Sequence, residues 1–576
     1  MVLLRHPLTH PKESMSMVKV TLKSFLYCAI SYFSIIFLQG GVRPRLIVVI
    51  SVDQLSAHSV ARYQKQWSHG LKSLFDEGVV FSEAYQSHAS TETAPGHATI
   101  MSGRYPSQTG IVSNTWFGPG FRRIDSTEDD QTSVLLAPAG RKGASGTWFS
   151  GTTLGDWLIR QNPRSRVMAI SGKDRASIFM AGTSTPDVYW FEPFVGFTTS
   201  MAYQTDLPSW LQEANQEWLQ SLERQSLSWT PSNTNLSSLN ASTYLLDGDY
   251  LGERVIKTGL PKLIKSISDP LDSNFYKRFR ATPFYDQLIL QFAQKLIEKE
   301  NLGQGSDLDI LMVGLSGTDY VGHNFGTGGA EMQDHLLRLD QSLGAFIKFL
   351  KSKDKNVAII LTADHGAPDF AERLHSQGLQ ASRESYAPWL KALNEAVQAK
   401  LTPGRTETLD VFRVTGNPPS ELYINSAALG MDSNPALRAT LMPRLMEIVK
   451  SAPHVMEVFS REEIEKTRIR HDQDPRTFTM AQRFHLSYNA RRSGDIFIVF
   501  KPYMTWGMGG SQHGSPMNYD RHVPLVFWGP WQHEIIAEGV EIVDLAPTLA
   551  SEFDIKPLQP LDGKILKLQR KGKVSQ

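Results

Sequence analysis

Three aspartates, three histidines and one threonine, spread over four short motifs and a late loop, carry the reactive potential of this chain. Asp53 closes the run V-V-I-S-V-D, and Thr93 stands inside T-E-T-A-P-G-H. Asp319 and His323 belong to T-D-Y-V-G-H, Asp364 and His365 to T-A-D-H-G, and His513 to a late Q-H-G. Carboxylate and imidazole are the ligands a catalytic zinc accepts, and a hydroxyl beside such a metal is a nucleophile. The set has the composition of a two-metal phosphate-transfer site. Taken singly, each member has an ordinary reading. A threonine ahead of A-P-G-H can cap a helix, where it would also meet the anion-attracting amide end of that helix. Asp319 and His323 are four residues apart and reach one metal from a helical turn. Adjacent side chains such as Asp364 and His365 diverge unless the backbone bends. His513 lies in G-G-S-Q-H-G-S-P, a loop that could deliver an imidazole from afar.

The elements that must position these residues are legible as continuous apolar runs. Arg45 to Asp53 is such a run ending in a carboxylate, the pattern of a buried parallel strand. Ser165 to Ile170 leads to Lys173 and Arg175, Leu308 to Leu315 leads to Asp319, and Asn356 to Leu361 leads to Asp364 and His365. In an open α/β sheet ligands bind beyond the carboxyl ends of the strands, so these four ends are expected to converge. Between them, Glu331 to Leu350 repeats Leu336, Leu339, Leu343, Phe346 and Leu350 at helical spacing. Two regions break the rhythm: a Ser-, Asn-, Thr- and Trp-rich stretch over 197–282, and an α/β unit over 368–484 with strands at Leu422–Asn425 and Val455–Phe459 around a helix from Pro435 to Ala452. Both read as insertions, dividing the catalytic core into 42–196, 283–367 and 485–576.

At 576 residues the chain suits one large α/β domain with insertions. Its 41% hydrophobic content excludes both a disordered and a polytopic membrane protein, and a net charge of +1 implies no nucleic-acid partner. Residues 1–40 read as a secretory signal: Lys19 and Lys23 precede an uncharged run from Ser24 to Leu38, followed by Gln39-Gly40-Gly41. The run is short for a bilayer span, so no stable membrane span is expected after cleavage. Cys28, the single cysteine, lies within it, leaving the mature chain with no thiol to ligate metal or form a disulfide.

The motifs T-A-P-G-H-A-T, G-R-Y-P-S-Q-T-G-I-V-S-N ending at Asn114, S-G-K-D-R, T-D-Y-V-G-H, T-A-D-H-G and H-G-S-P-M-N-Y-D-R-H-V-P-L resemble those of the alkaline phosphatase superfamily. The likeness is greatest to the PafA-like bacterial alkaline phosphatases, in which threonine is the nucleophile. That resemblance implies a three-layer α/β/α core with a mostly parallel sheet and inserted cap segments. It implies two zinc ions per chain, one held by Asp319, His323 and His513 and the other by Asp53, Asp364 and His365 with Thr93. It further implies that Asn114, Lys173 and Arg175 bind the phosphoryl oxygens of small-molecule phosphate esters, that hydrolysis passes through a phosphothreonine, and that the protein is exported. Manganese or cobalt suits such ligands too. A phosphodiesterase or nucleotide pyrophosphatase uses the same ligands and a threonine, so the ligands alone leave it open. Lys173 and Arg175 favour a dianionic monoester, which gains more from two cations than a diester does. A non-catalytic phosphate-binding protein is the alternative from another class, and the complete set of nucleophile and ligands speaks against it.

Overall fold

The computed structural model describes residues 43–232, 243–246, 254–407, 409–416, 418–470 and 472–572. The signal segment read at 1–40, with Cys28, lies outside these residues, as do 233–242 and 247–253 of the Ser-, Asn-, Thr- and Trp-rich stretch. Nine strands form the central sheet: β1 (Leu46–Val52), β2 (Val79–Tyr85), β3 (Val167–Ser171), β4 (Asp187–Glu192), β5 (Gly196–Thr198), β6 (Asp309–Leu315), β7 (Ala358–Thr362), β8 (His522–Trp528) and β9 (Glu534–Glu541). Their spatial order is β9-β2-β8-β7-β1-β6-β3-β4-β5. The block β7-β1-β6-β3-β4 is parallel, with β1 between β6 and β7 in continuous register. β8 runs antiparallel to both β7 and β2, and β2 pairs in parallel with β9.

Every residue of β1, β3, β6 and β7 is buried. A strand buried on both faces must be covered on both, which gives the three-layer arrangement and explains the unbroken apolar runs. Burying each Val, Leu or Ile side chain of these strands stabilises the fold by about 1.5–3 kcal/mol. The four runs singled out in the sequence are the adjacent strands β7, β1, β6 and β3, so their carboxyl ends lie side by side. Helices follow them: α1 (Thr93–Ser102) after β2, α2 (Asp174–Ala181) after β3, α3 (Gly317–Phe325) after β6, and α4 (Ala330–Lys353), which buries Leu336, Leu339, Leu343, Phe346 and Leu350.

Residues Pro44–Arg570 form a single compact unit. The unit expected over 368–484 contains the strands and helix read from the sequence, but its sheet runs on past 484. Four strands lie in the order Phe412–Arg413, Glu421–Ile424, Ile496–Phe500, Val455–Ser460. Ile496, Ile498 and Phe500 face a core with Leu422, Leu445 and Trp506, whereas Phe497 and Val499 face a second one with Ile464 and Phe484. This strand is buried on both faces because two small cores flank it, so its apolar run looks like a strand of the main sheet. At the other insertion, β5 completes the main sheet at Gly196–Thr198 and therefore straddles the boundary read at 197.

Candidate active site

Asp53 follows β1 directly, and its amide still bonds Leu315 of β6 at 2.9 Å. The chain then turns sharply at Gln54, whose φ is +67°. That turn lets Gln54 tie two motifs together. Its amide donates to Asp364 Oδ1 at 3.0 Å, and its side-chain amide donates to Asp319 Oδ1 at 2.9 Å. The close approach also accounts for Gly322 in T-D-Y-V-G-H: a Cβ there would lie 1.8 Å from the Gln54 side-chain oxygen.

Thr93 is the first residue of α1, a helix buried along its whole length. Its N-cap residue Glu92 accepts from the amide of Asn114 at 2.5 Å and from Ser113 Oγ at 2.9 Å. Asn114 Oδ1 in turn accepts from the amide of Ala94 at 2.9 Å, which leaves its NH2 group for an anion. Lys173, 4% exposed, stands at the end of β3 with its ammonium 2.7 Å from Asp319 Oδ2, 3.0 Å from Asp53 Oδ2 and 3.4 Å from Thr93 Oγ1. Burial opposes its charge, but Asp319 and Asp53 outweigh that and raise its pKa above the ordinary lysine value. Arg175 opens α2 two residues on, 3.7 Å from Asp174. Asn114, Lys173 and Arg175 line one cavity of about 560 Å³.

Four imidazoles share one arrangement. Nδ1 lies 2.8 Å from the Ser511 carbonyl in His323, 2.8 Å from that of Thr91 in His513, 3.1 Å from that of Gly366 in His365, and 2.8 Å from that of Thr93 in His97. A carbonyl only accepts, so each Nδ1 carries the hydrogen and, in the neutral ring, each Nε2 presents a lone pair. Those Nε2 atoms point at carboxylates: His323 and His513 at Asp319 Oδ1 (3.2 and 3.5 Å), His365 at Asp364 Oδ2 (3.3 Å) and His97 at Asp53 Oδ1 (3.4 Å). A lone pair facing a carboxylate is repulsive unless a proton or a metal cation stands between them. Burial disfavours the charged ring in His323 and His97, but the neighbouring carboxylates outweigh it and raise the pKa of both accordingly. The residues therefore fit divalent metal, with the imidazoles oriented through backbone carbonyls as metal-binding histidines are.

Two groups have ligand atoms that all lie within 4.8 Å of one another: Asp319 with His323 and His513, and Asp53 with His97 and Asp364. The first is the trio read from the sequence. In the second, His97 stands where that reading put His365, and His365 stacks on His513 with ring centroids 3.6 Å apart. Electrostatics agree with a cation-binding role. Burial raises the pKa of Asp53, yet Lys173 and His97 overcome it and hold the carboxyl down to about 2. Burial and the charge of Asp53 push Asp364 up to about 7, and burial takes His365 down to about 3. Clustered carboxylates that cannot all ionise, beside His365 and His513 whose imidazoles are held neutral by burial, suit added positive charge.

Sequence reading brought Asp53, Thr93, Asn114, Lys173, Arg175, Asp319, His323, Asp364, His365 and His513 to one place, and the fold puts all ten around the carboxyl ends of β1, β3, β6 and β7. It gave no role to His97, four residues after Thr93 on one helical face, a spacing that could have flagged it. Gln54 and Glu92 were also passed over; each acts through a hydrogen bond that no local spacing announces.

A family model described as type I phosphodiesterase / nucleotide pyrophosphatase matches residues 47–510. Alkaline phosphatase PhoK from Sphingomonas sp is 34% identical over 546 residues, covering 91% of this chain and 91% of the relative. Alkaline phosphatase PafA from Elizabethkingia meningoseptica is 30% identical over 529 residues, covering 89% and 92%. The crystal structure of wild-type alkaline phosphatase PafA superposes with a TM-score of 0.76 at 26% identity, over 92% of this chain and 99% of that one.

Proposed function

Because the chain belongs to the type I phosphodiesterase / nucleotide pyrophosphatase family and is a phosphatase, we propose that it is a metal-dependent phosphate monoester hydrolase working through a phosphothreonine at Thr93. The observation that carries this reading is the set of imidazoles aimed at carboxylates beside a helix-end hydroxyl and two cations. Asp319, His323 and His513 would hold one zinc ion; Asp53, Asp364 and His365 would hold the other, with His97 bridging Asp53 and Asp364. Bound there, the two ions would act as Lewis acids on the attacking and leaving oxygens.

The protein's own groups do the rest. Asn114, anchored by Glu92, donates its amide to a non-bridging phosphoryl oxygen. Lys173 and Arg175 set two fixed positive charges against a dianionic group. Thr93 Oγ1 loses its proton to solvent as it attacks phosphorus in line with the ester oxygen, which departs with the electron pair of the broken P–O bond and takes up a proton. Water, losing a proton, then displaces Thr93 Oγ1, which is reprotonated, so two inversions give net retention. The basic flank and apolar run up to Leu38 support export of the protein.

The test compares kcat/KM for an aryl phosphate and its methyl diester, on wild type and on Lys173→Ala/Arg175→Ala. Each charge-assisted contact contributes about 1.5–3 kcal/mol, so the monoester should lose about 10²–10⁴-fold. The diester, with one charge less, should lose clearly less. Equal losses would move the diesterase reading ahead.

A further inference from the structure

The cavity beside Thr93 extends past the phosphoryl-binding residues, and its far wall is charged. Four carboxylates line it. Asp174 is 2.9 Å from Arg141, and Glu192 is 3.1 Å from the same guanidinium. Glu128 is held by Arg122 at 2.7 Å and Lys142 at 2.8 Å, while Asp125 is exposed. Of the lining cations, Arg141, Lys142, Lys173 and Arg175 each have a carboxylate within 4 Å. Arg280 is the one lining cation for which the described residues supply none.

Arg280 ends the helix Ser273–Arg280, which is fixed by the buried rings of Phe275, Tyr276 and Phe279. Its guanidinium lies 4.8 Å from the centre of the Tyr320 ring, and Nη1 donates to Tyr320 Oη at 3.3 Å. Lys173 Nζ lies 5.2 Å from the centre of the same ring. The phosphoryl-binding lysine and Arg280 are thus held by one aromatic residue. Arg280 Nε is buried without a hydrogen-bond acceptor, a costly state for a charged donor that a ligand in the cavity would relieve. Arg280, Arg141, Glu192 and Pro193 also border an adjoining cavity of about 300 Å³, whose lining includes Lys277.

We infer that Arg280 contacts the leaving group, and that the favoured monoesters are those whose leaving group carries its own anionic oxygen group, a carboxylate or a second phosphate. This rests on the monoesterase reading above. It assigns Lys173, Arg175 and Asn114 to the transferred phosphoryl group and Arg280 to the part of the substrate that departs.

Two alkyl monoesters separate the terms: 3-phosphoglycerate, whose leaving group bears a carboxylate, and glycerol 1-phosphate, whose leaving group is neutral. Loss of one fork-shaped contact to a carboxylate should lower kcat/KM of Arg280→Gln on 3-phosphoglycerate by about tenfold or more, and on glycerol 1-phosphate by about threefold or less. Arg280→Lys should recover part of the difference. Equal losses on the two esters, or no loss on either, overturn the inference while leaving the monoesterase reading intact. Failure of wild type to hydrolyse either ester overturns both. Should the glutamine variant not fold, wild type is measured from about 50 to about 500 mM salt, where kcat/KM for 3-phosphoglycerate should fall more steeply. Parallel salt dependences overturn the inference.

Discussion

Thr93 is held at a helix start by Glu92 and Asn114 on one side and approached by Lys173 on the other. Thr93→Ala should therefore abolish the covalent route, lowering turnover of an aryl phosphate by several orders of magnitude, while bound metal measured by elemental analysis stays largely intact. Thr93→Ser keeps the hydroxyl and should retain substantial activity. Near-wild-type turnover by the alanine variant would refute the phosphothreonine. Gln54 makes the complementary case. It touches one carboxylate of each metal-type group, so Gln54→Ala should weaken metal retention and activity by about 10–100-fold, as loss of a ligand-orienting partner does. The contrast shows what a sequence exposes at this scale. Asp319 and His323 declare themselves through four-residue spacing on a helix, and Asp53 through its place at a strand end. Gln54 acts because β1 and β7 are neighbours, a relation that exists only once the sheet is built.

At the scale of elements, α1 lies hard against the loop after β7. A Cβ on Gly96 would sit 2.2 Å from the carbonyl oxygen of Asp364. In an open helix Gly→Ala gains up to about 1 kcal/mol, so the sign here should reverse. Gly96→Ala should cost about 1–3 kcal/mol or more and displace Asp364, seen as a lower Tm together with lost hydrolysis. The small sheet has its own pH signature. Burial pushes Glu421 up to about 7, and one of its carboxylate oxygens is buried without a hydrogen-bond partner. A carboxyl raised in the folded state binds its proton more tightly there than in the unfolded chain. Stability from this group is thus full below the unfolded pKa of 4.5 and declines as pH rises toward 7. Glu421→Gln should raise Tm over wild type at about pH 8.5 and differ little at about pH 4. The strands that build this sheet were partly legible. Glu421–Ile424 and Val455–Ser460 stand between clear turn and helix signals, whereas Ile496–Phe500 is apolar on both faces, and nothing in such a run says which sheet it joins.

For the whole molecule, cations bound by the two buried candidate ligand groups would contribute to stability. Asp53, Asp364 and Asp319 are each at most 4% exposed. Exhaustive chelation should lower Tm by several degrees and abolish hydrolysis, and zinc should restore both, since a ligand that binds only the folded state stabilises it by mass action. Activity persisting in metal-free protein would sink the two-metal reading. The three-layer arrangement rested on the family resemblance, whereas the parallel sheet at its centre was readable because strands buried on both faces leave unbroken apolar runs. The order of its outer strands was not, since β8 and β9 return from the far end of the chain to flank β2.

That return has a consequence in time. β2 pairs with β8 and β9 only, and His513 precedes β8 by a short loop. A chain growing from its N-terminus carries the helix of Thr93 early, behind a strand that as yet has no neighbour in the sheet. Asp319 and His323 likewise meet His513 only after the whole of the small sheet has been made. On the two-metal reading, a product cut short before His513 would lack one member of the Asp319 group and should be inert rather than indiscriminate, which its rate on an aryl phosphate checks.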